Sequence, residues 1–171
     1  MNMLEKVFLI LLILAFATCK SDPEKRNESA NFEIEQLNYQ SLKPILYKND
    51  NKTYVVNFWA TWCKPCVEEL PFFEKINKIK NVKVILVSLD FPDQIESRLV
   101  PFIKEKNIQS KVVMMIDPDQ NSWIPKINKE WTGAIPATLI YNSNKRKFYE
   151  QSFSYEQLQK EVTKFINYEN N

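Results

Sequence analysis

Thr53–Trp59 (Thr-Tyr-Val-Val-Asn-Phe-Trp) has the β-branched and aromatic make-up of a central strand, and it runs almost directly into Cys63-Lys64-Pro65-Cys66 at the head of a helical pattern. A strand that ends at a cysteine pair and restarts as a helix constrains the fold more than any other feature of this chain. Val67, Leu70, Phe73, Ile76 and Ile79 predict a helix over 64–80, with Pro65 tolerated in its first turn and Pro71 expected to bend it. Val82–Leu89 and Lys111–Ile116 read as two further strands. Between them Asp93 and Glu96 are spaced as a capping box for a helix burying Ile95, Leu99, Phe102 and Ile103. A short helix interrupted by Pro125 is expected over 122–130, and Tyr39–Lys48 reads as a short helix or an irregular lead-in. Ala137–Tyr141 and Lys147–Ser152 flank Asn142–Lys145 as a hairpin. Ser154 and Gln157 then cap a last helix that buries Tyr155, Leu158, Val162, Phe165 and Ile166. The order β-α-β-α-β-α-β-β-α predicts an α/β fold, a central mixed sheet with helices on both faces.

Composition narrows the chemistry. The 171 residues include three cysteines, one glycine and no histidine, at a net charge of +2. Without histidine there is no serine-histidine-acid triad, no histidine-activated cysteine, no histidine-ligated haem and no common zinc-enzyme shell. One glycine excludes the glycine-rich phosphate loops. Near-neutral charge gives no reason to expect a nucleic-acid partner. The function must come from Cys, Asp/Glu, Lys or backbone groups, with no metal and no cofactor expected.

Cys63 and Cys66 admit three readings. Half a zinc site needs another ligand pair, and only the remote Cys19 is left. A structural disulfide gains little from closing so short a loop. A redox pair suits the placement best, because unpaired N–H groups and the helix field at a helix start favour the Cys63 thiolate. Cys66, one turn further in, is placed to attack a mixed disulfide formed at Cys63.

The N-terminus reads as an export signal. Lys6 precedes eleven apolar residues, Val7–Ala17, too few to span a bilayer comfortably. We expect 1–18 to be a signal peptide of lipoprotein type with Cys19 lipidated, since Cys19 lies where the apolar run turns polar. Phe16 and Thr18 depart from the usual lipoprotein pattern, so cleavage after Ala15-Phe16-Ala17 and retention as a short anchor stay open. Residues 19–34 are expected to be a flexible tether, 35–168 the folded domain and 169–171 a tail.

The segment Asn57-Phe-Trp-Ala-Thr-Trp-Cys-Lys-Pro-Cys66 resembles the active-site segment of the thioredoxin superfamily, in particular the membrane-tethered thiol-disulfide oxidoreductases of the TlpA/ResA/CcmG type. The resemblance continues at Glu69-Leu70-Pro71 and at Gly133-Ala-Ile-Pro-Ala-Thr138. It implies a thioredoxin-like fold, with Cys63 and Cys66 catalytic and Pro136 cis. In that arrangement Ile135 would lie beside the cysteines, its backbone free to pair with an extended substrate. Glu69 would carry the Cys66 proton if burial raised its pKa. Trp62, Lys64, Pro65 and Ile135 would form the docking surface, with Lys64 adding positive charge, and Trp59 would shield the pair or simply pack in the core. Asn57 stands where thioredoxin has a buried aspartate, which leaves deprotonation to Glu69 or water.

The implied activity is a protein-disulfide reductase in the bacterial envelope, facing the periplasm. It would draw electrons from a membrane thiol-disulfide donor and reduce exported-protein disulfides, including those of apocytochrome c. Two alternatives stand beside it. A peroxiredoxin-type peroxidase would expect Pro-x-x-x-Thr-x-x-Cys, and no proline precedes Cys63 at that distance. A non-catalytic binding module would not need an intact cysteine pair facing Pro136.

Overall fold

A computed structural model describes residues 33–166. The readings of 1–18 as a signal, of Cys19 as a lipidation site, of most of the 19–34 tether and of the 169–171 tail lie outside those residues. Six strands form one mixed sheet: β1 (Glu35–Leu37), β2 (Thr53–Trp59), β3 (Val82–Ser88), β4 (Lys111–Met115), β5 (Ala137–Tyr141) and β6 (Arg146–Tyr149). Their spatial order is β1-β4-β3-β2-β5-β6. The first four are mutually parallel; β5 runs antiparallel to β2, and β6 runs antiparallel to β5 and so shares the direction of the first four. The helices are α1 (Tyr39–Leu46), α2 (Lys64–Ile76), α3 (Val100–Glu105), α4 (Gln120–Ile127) and α5 (Tyr155–Ile166).

All seven residues of β2 are buried, as a strand in the middle of a covered sheet requires. Its period-2 alternation sorts side chains between two cores. Val55 and Trp59 pack with Phe73 of α2 and Leu158, Val162 and Phe165 of α5. Tyr54, Val56 and Phe58 pack with Leu42 of α1 and Trp123 of α4. Asn57 is thereby turned to the α2 side, where it enters the site.

Several boundaries differ from the sequence expectation. β1 was not anticipated: it is only three residues long, with two exposed, and becomes a strand by pairing with β4. Lys111 Nζ, 2.8 Å from Glu35 Oε2, reinforces that edge. Helix α2 passes through Pro71 but ends at Ile76, four residues early, and the next residue, Asn77, accepts the Val84 N–H on its Oδ1 at 2.9 Å. Asp93 and Glu96 form no capping box. Pro92–Gln94 is a 3-10 turn and Ile95–Leu99 a π-turn leading into α3. Pro101, which has no N–H to give to the turn before it, falls in the first turn of α3, and the chain ahead of it is wound as a π-turn instead of a regular α-helix. Ile95, Leu99 and Ile103 are buried as expected. The Ser154/Gln157 box does form, with Ser154 N–H donating to Gln157 Oε1 at 2.9 Å and Gln157 N–H donating to Ser154 Oγ at 3.3 Å. The β5–β6 turn manages without Asp or Gly because Asn142 Oδ1 accepts the Asn144 and Lys145 N–H groups.

Candidate active site

Where β2 ends, Cys63 becomes the N-cap of α2 in extended conformation (φ −89°, ψ 99°), with Pro65 inside the first turn. Its own N–H donates to Ala60 O at 3.1 Å and its carbonyl accepts Val67 N–H at 3.1 Å, so the helix starts at the cysteine. The first turn holds no acidic residue, which leaves the positive end of the helix to the sulfur. Cys63 and Cys66 are joined in a disulfide. They differ in access: Cys63 keeps 7% of its surface exposed and Cys66 none. An incoming thiol or disulfide can therefore reach Cys63 alone.

The turn before the pair is braced by a group the sequence reading missed. Asp90, buried just past β3, accepts from Thr61 N–H on both oxygens at 3.1 Å, from Thr61 Oγ1 at 2.6 Å and from Ser88 Oγ at 2.7 Å. Removing that carboxylate strands several donors at the base of the cysteine turn. Asp90→Ala is expected to destabilise the domain by about 3 kcal/mol, read from urea unfolding at neutral pH.

Across from Cys63, the Ile135–Pro136 peptide bond is cis, and the Ile135 carbonyl oxygen lies 3.8 Å from Cys63 Sγ. That loop is tied down twice. Glu150 accepts from Thr132 N–H, from the Thr132 hydroxyl and from Ala134 N–H, and Trp131 Nε1 donates to Ala134 O at 2.9 Å. Gly133 occupies φ +94°, a region closed to most side chains, and a Cβ there would lie 3.1 Å from Ile124 Cδ1. Ile124 ends in a flexible methyl that can shift, so the backbone sets the cost. Gly133→Ala should lower stability by about 1–3 kcal/mol, measurable by thermal or urea unfolding.

Glu69, one helical turn beyond Cys66, is buried on the same side of α2. Its Oε1 accepts from Asn57 Nδ2 at 3.0 Å and its Oε2 from Phe153 N–H at 2.8 Å. Burial pushes its pKa up to about 7, and these two bonds only partly offset the rise. Asn57 Nδ2 also donates to Thr138 Oγ1 at 3.1 Å, which carries the network into β5. A groove of about 370 Å³ lined by Pro65, Glu69, Phe72 and Phe153 borders the carboxyl.

The remaining expected residues scatter around this centre. Lys64 is exposed, with Nζ 3.8 Å from Glu68 Oε1, so its charge is shared with a neighbouring carboxylate. Trp62 is half exposed and lines an open cleft with Thr61, Lys64, Arg98 and Phe102. Trp59 is fully buried, its ring centroid 5.5 Å from Phe102, and is a core residue. Among the described residues no group of three or more His, Cys, Asp or Glu side chains is arranged to hold a metal ion. No described helix is long and apolar enough to cross a membrane.

The comparisons agree with this geometry. The thiol-disulfide oxidoreductase ResA of Oceanobacillus iheyensis is 28% identical over 58% of this chain and 58% of its own length. The thioredoxin-like protein YneN of Bacillus subtilis is 34% identical over 40% of this chain and 39% of its own. The chain thus spans roughly half the length of these relatives. Among solved structures, a DsbF homologue from Corynebacterium diphtheriae superposes with a TM-score of 0.57 at 17% identity, covering 73% of this chain and 76% of that one, a likeness of fold. The model of the AhpC/TSA family matches residues 26–146. On that match, with its thioredoxin-like sheet and a Cys63–Cys66 pair facing a cis-proline, the chain belongs to the AhpC/TSA family.

Proposed function

We propose that this protein is a thiol-disulfide oxidoreductase that reduces disulfides of exported proteins by cycling Cys63 and Cys66 between dithiol and disulfide. The observation that carries the reading is the asymmetry of the pair: one sulfur open at a helix start, its partner wholly buried one turn in. In the reduced protein the Cys63 thiolate attacks a client disulfide, forming a mixed disulfide and releasing one client thiolate. Cys66 then gives its proton to Glu69 and attacks Cys63 Sγ, releasing the second client thiolate as the Cys63–Cys66 disulfide closes. Two electrons pass to the client, and a thiol donor must return two to reset the pair. The client lies as an extended segment along Ile135, with Trp62, Lys64 and Pro65 forming the docking rim.

The finer parts of the reading rest on the sequence and on likeness to ResA. They are an envelope location facing the periplasm, attachment through a lipidated Cys19, a membrane thiol-disulfide donor, and apocytochrome c among the clients. A peroxidase reading draws support from the AhpC/TSA match alone. The arrangement described for such enzymes is missing before Cys63, and the buried second cysteine is placed for exchange with a bound disulfide. Expression of full-length Cys66→Ser in cells tests the proposal. It should accumulate mixed disulfides on Cys63 with exported proteins, and recovery of cytochrome c precursors among them supports the maturation role. Failure to trap any partner, with wild-type protein inert toward disulfides, removes the reading.

A further inference from the structure

The end of the sheet opposite the cysteines carries a cavity of about 330 Å³ between the end of α1 and the β5–β6 turn. It adjoins the Tyr54–Tyr141 end of the β2–β5 ladder, whereas Cys63 follows Trp59 at the other end of β2. About 17 Å of strand separates the two. Lys48, Lys145 and Arg146 line the cavity, and no aspartate or glutamate does.

Each of these cations stands over an aromatic ring. Lys48 Nζ lies 5.7 Å from the Tyr54 centroid, Lys145 Nζ 4.9 Å from Phe165, and the Arg146 guanidinium 4.5 Å from Tyr47. Rings orient a cation without neutralising it. Arg146 Nη1 also donates to Leu46 O at 2.7 Å, which fixes the fork and leaves its other N–H groups available. None of the three pairs with a carboxylate among the described residues. Asp50, the acid in the neighbouring loop, is engaged by the Tyr54 hydroxyl at 2.8 Å and by Lys52 at 3.8 Å. Asn142 Oδ1 holds the Lys145 N–H, and Arg146 is placed by its pairing with Tyr141 in the β5–β6 ladder.

We infer that this cavity is an anion site for a phosphate group, clamped by the Arg146 fork and flanked by Lys48 and Lys145. Three unneutralised cations around one cavity, one of them a planar fork, suit the several oxygens of a phosphate group better than a single carboxylate. Such a group arrives either as a free ion or on a phospholipid headgroup. The site owes nothing to the thiol chemistry, so the two proposals stand or fall separately.

The test titrates inorganic phosphate into the oxidised full chain, with chloride at matched ionic strength as control, following the amide signals of Tyr47 and Arg146 by NMR. A saturable response is expected, weakened about tenfold by Arg146→Gln and by Lys48→Gln with Lys145→Gln. The lysine pair keeps the falsifying power if loss of the Leu46 bond unsettles Arg146→Gln. In parallel, the same proteins are sedimented with phosphatidylglycerol and with phosphatidylcholine vesicles. Wild-type retention on phosphatidylglycerol beyond that of the variants identifies a lipid source. Saturable phosphate binding with equal retention on both vesicles identifies a free one. Responses to phosphate no different from chloride, with no vesicle preference lost in the variants, overturn the inference.

Discussion

Replacing Cys63 with serine is expected to abolish reduction of a model disulfide, with the rate falling by at least about 1000-fold. Serine at the same N-cap keeps the helix start and the packing, so the domain should stay folded while the nucleophile disappears. Cys66→Ser gives a different outcome. Cys63 still attacks, because access and helix field belong to it, but the mixed disulfide has no internal sulfur to resolve it. Stopped-flow kinetics should show a single turnover that stalls as a stable adduct. Equal losses in both variants with no adduct would mean that the exposure difference, 7% against none, does not assign the roles.

The second large effect concerns Glu69. Its folded-state pKa of about 7 stands above the ordinary carboxylate value of 4.5, and burial is the cause. A carboxyl whose pKa rises on folding binds its proton more tightly in the native state. Its contribution to stability is therefore fully present below pH 4.5 and is lost as pH climbs to about 7. Between pH 5 and pH 8 the wild type should lose about 2–3 kcal/mol on this account. Glu69→Gln should flatten that slope in urea titrations. The amide cannot accept from both Asn57 Nδ2 and Phe153 N–H, so the variant will be less stable than wild type at pH 5. Release of client from the Cys63 mixed disulfide should slow in the same variant and lose its dependence on a group titrating near neutrality.

Much of this site was legible in the sequence because its signals are local. The cysteine pair, the strand before it and the helix after it are contiguous, and Glu69 follows at helical spacing. The cis-proline was readable only through a family resemblance, since nothing in Gly133-Ala-Ile-Pro sets the isomer by itself. Residues recruited by tertiary neighbours escaped. Asp90 braces the cysteine turn only because β3 lies beside β2, and Glu150 holds the Ile135 loop only because β6 returns beside β5. Asn57 and Thr138 meet through the antiparallel register of β2 and β5, a long-range pairing without a local signature. β1 was missed for the same reason, three residues made a strand by the edge of β4. The π-turn at Ile95–Leu99 had no local mark of its own, since Pro44, Pro71 and Pro125 sit inside regular helices while Pro101 only opens α3.

Whether the pair exchanges with disulfides is most directly decided by comparing its reactions with two oxidants. The fully reduced full-length protein is mixed, in separate reactions, with a disulfide-bonded peptide and with hydrogen peroxide, and the products are read by mass spectrometry. The account predicts two peptide thiols released per Cys63–Cys66 disulfide formed, with the peptide reacting much faster than peroxide. Rapid consumption of peroxide by a protein that leaves the peptide disulfide intact would contradict it.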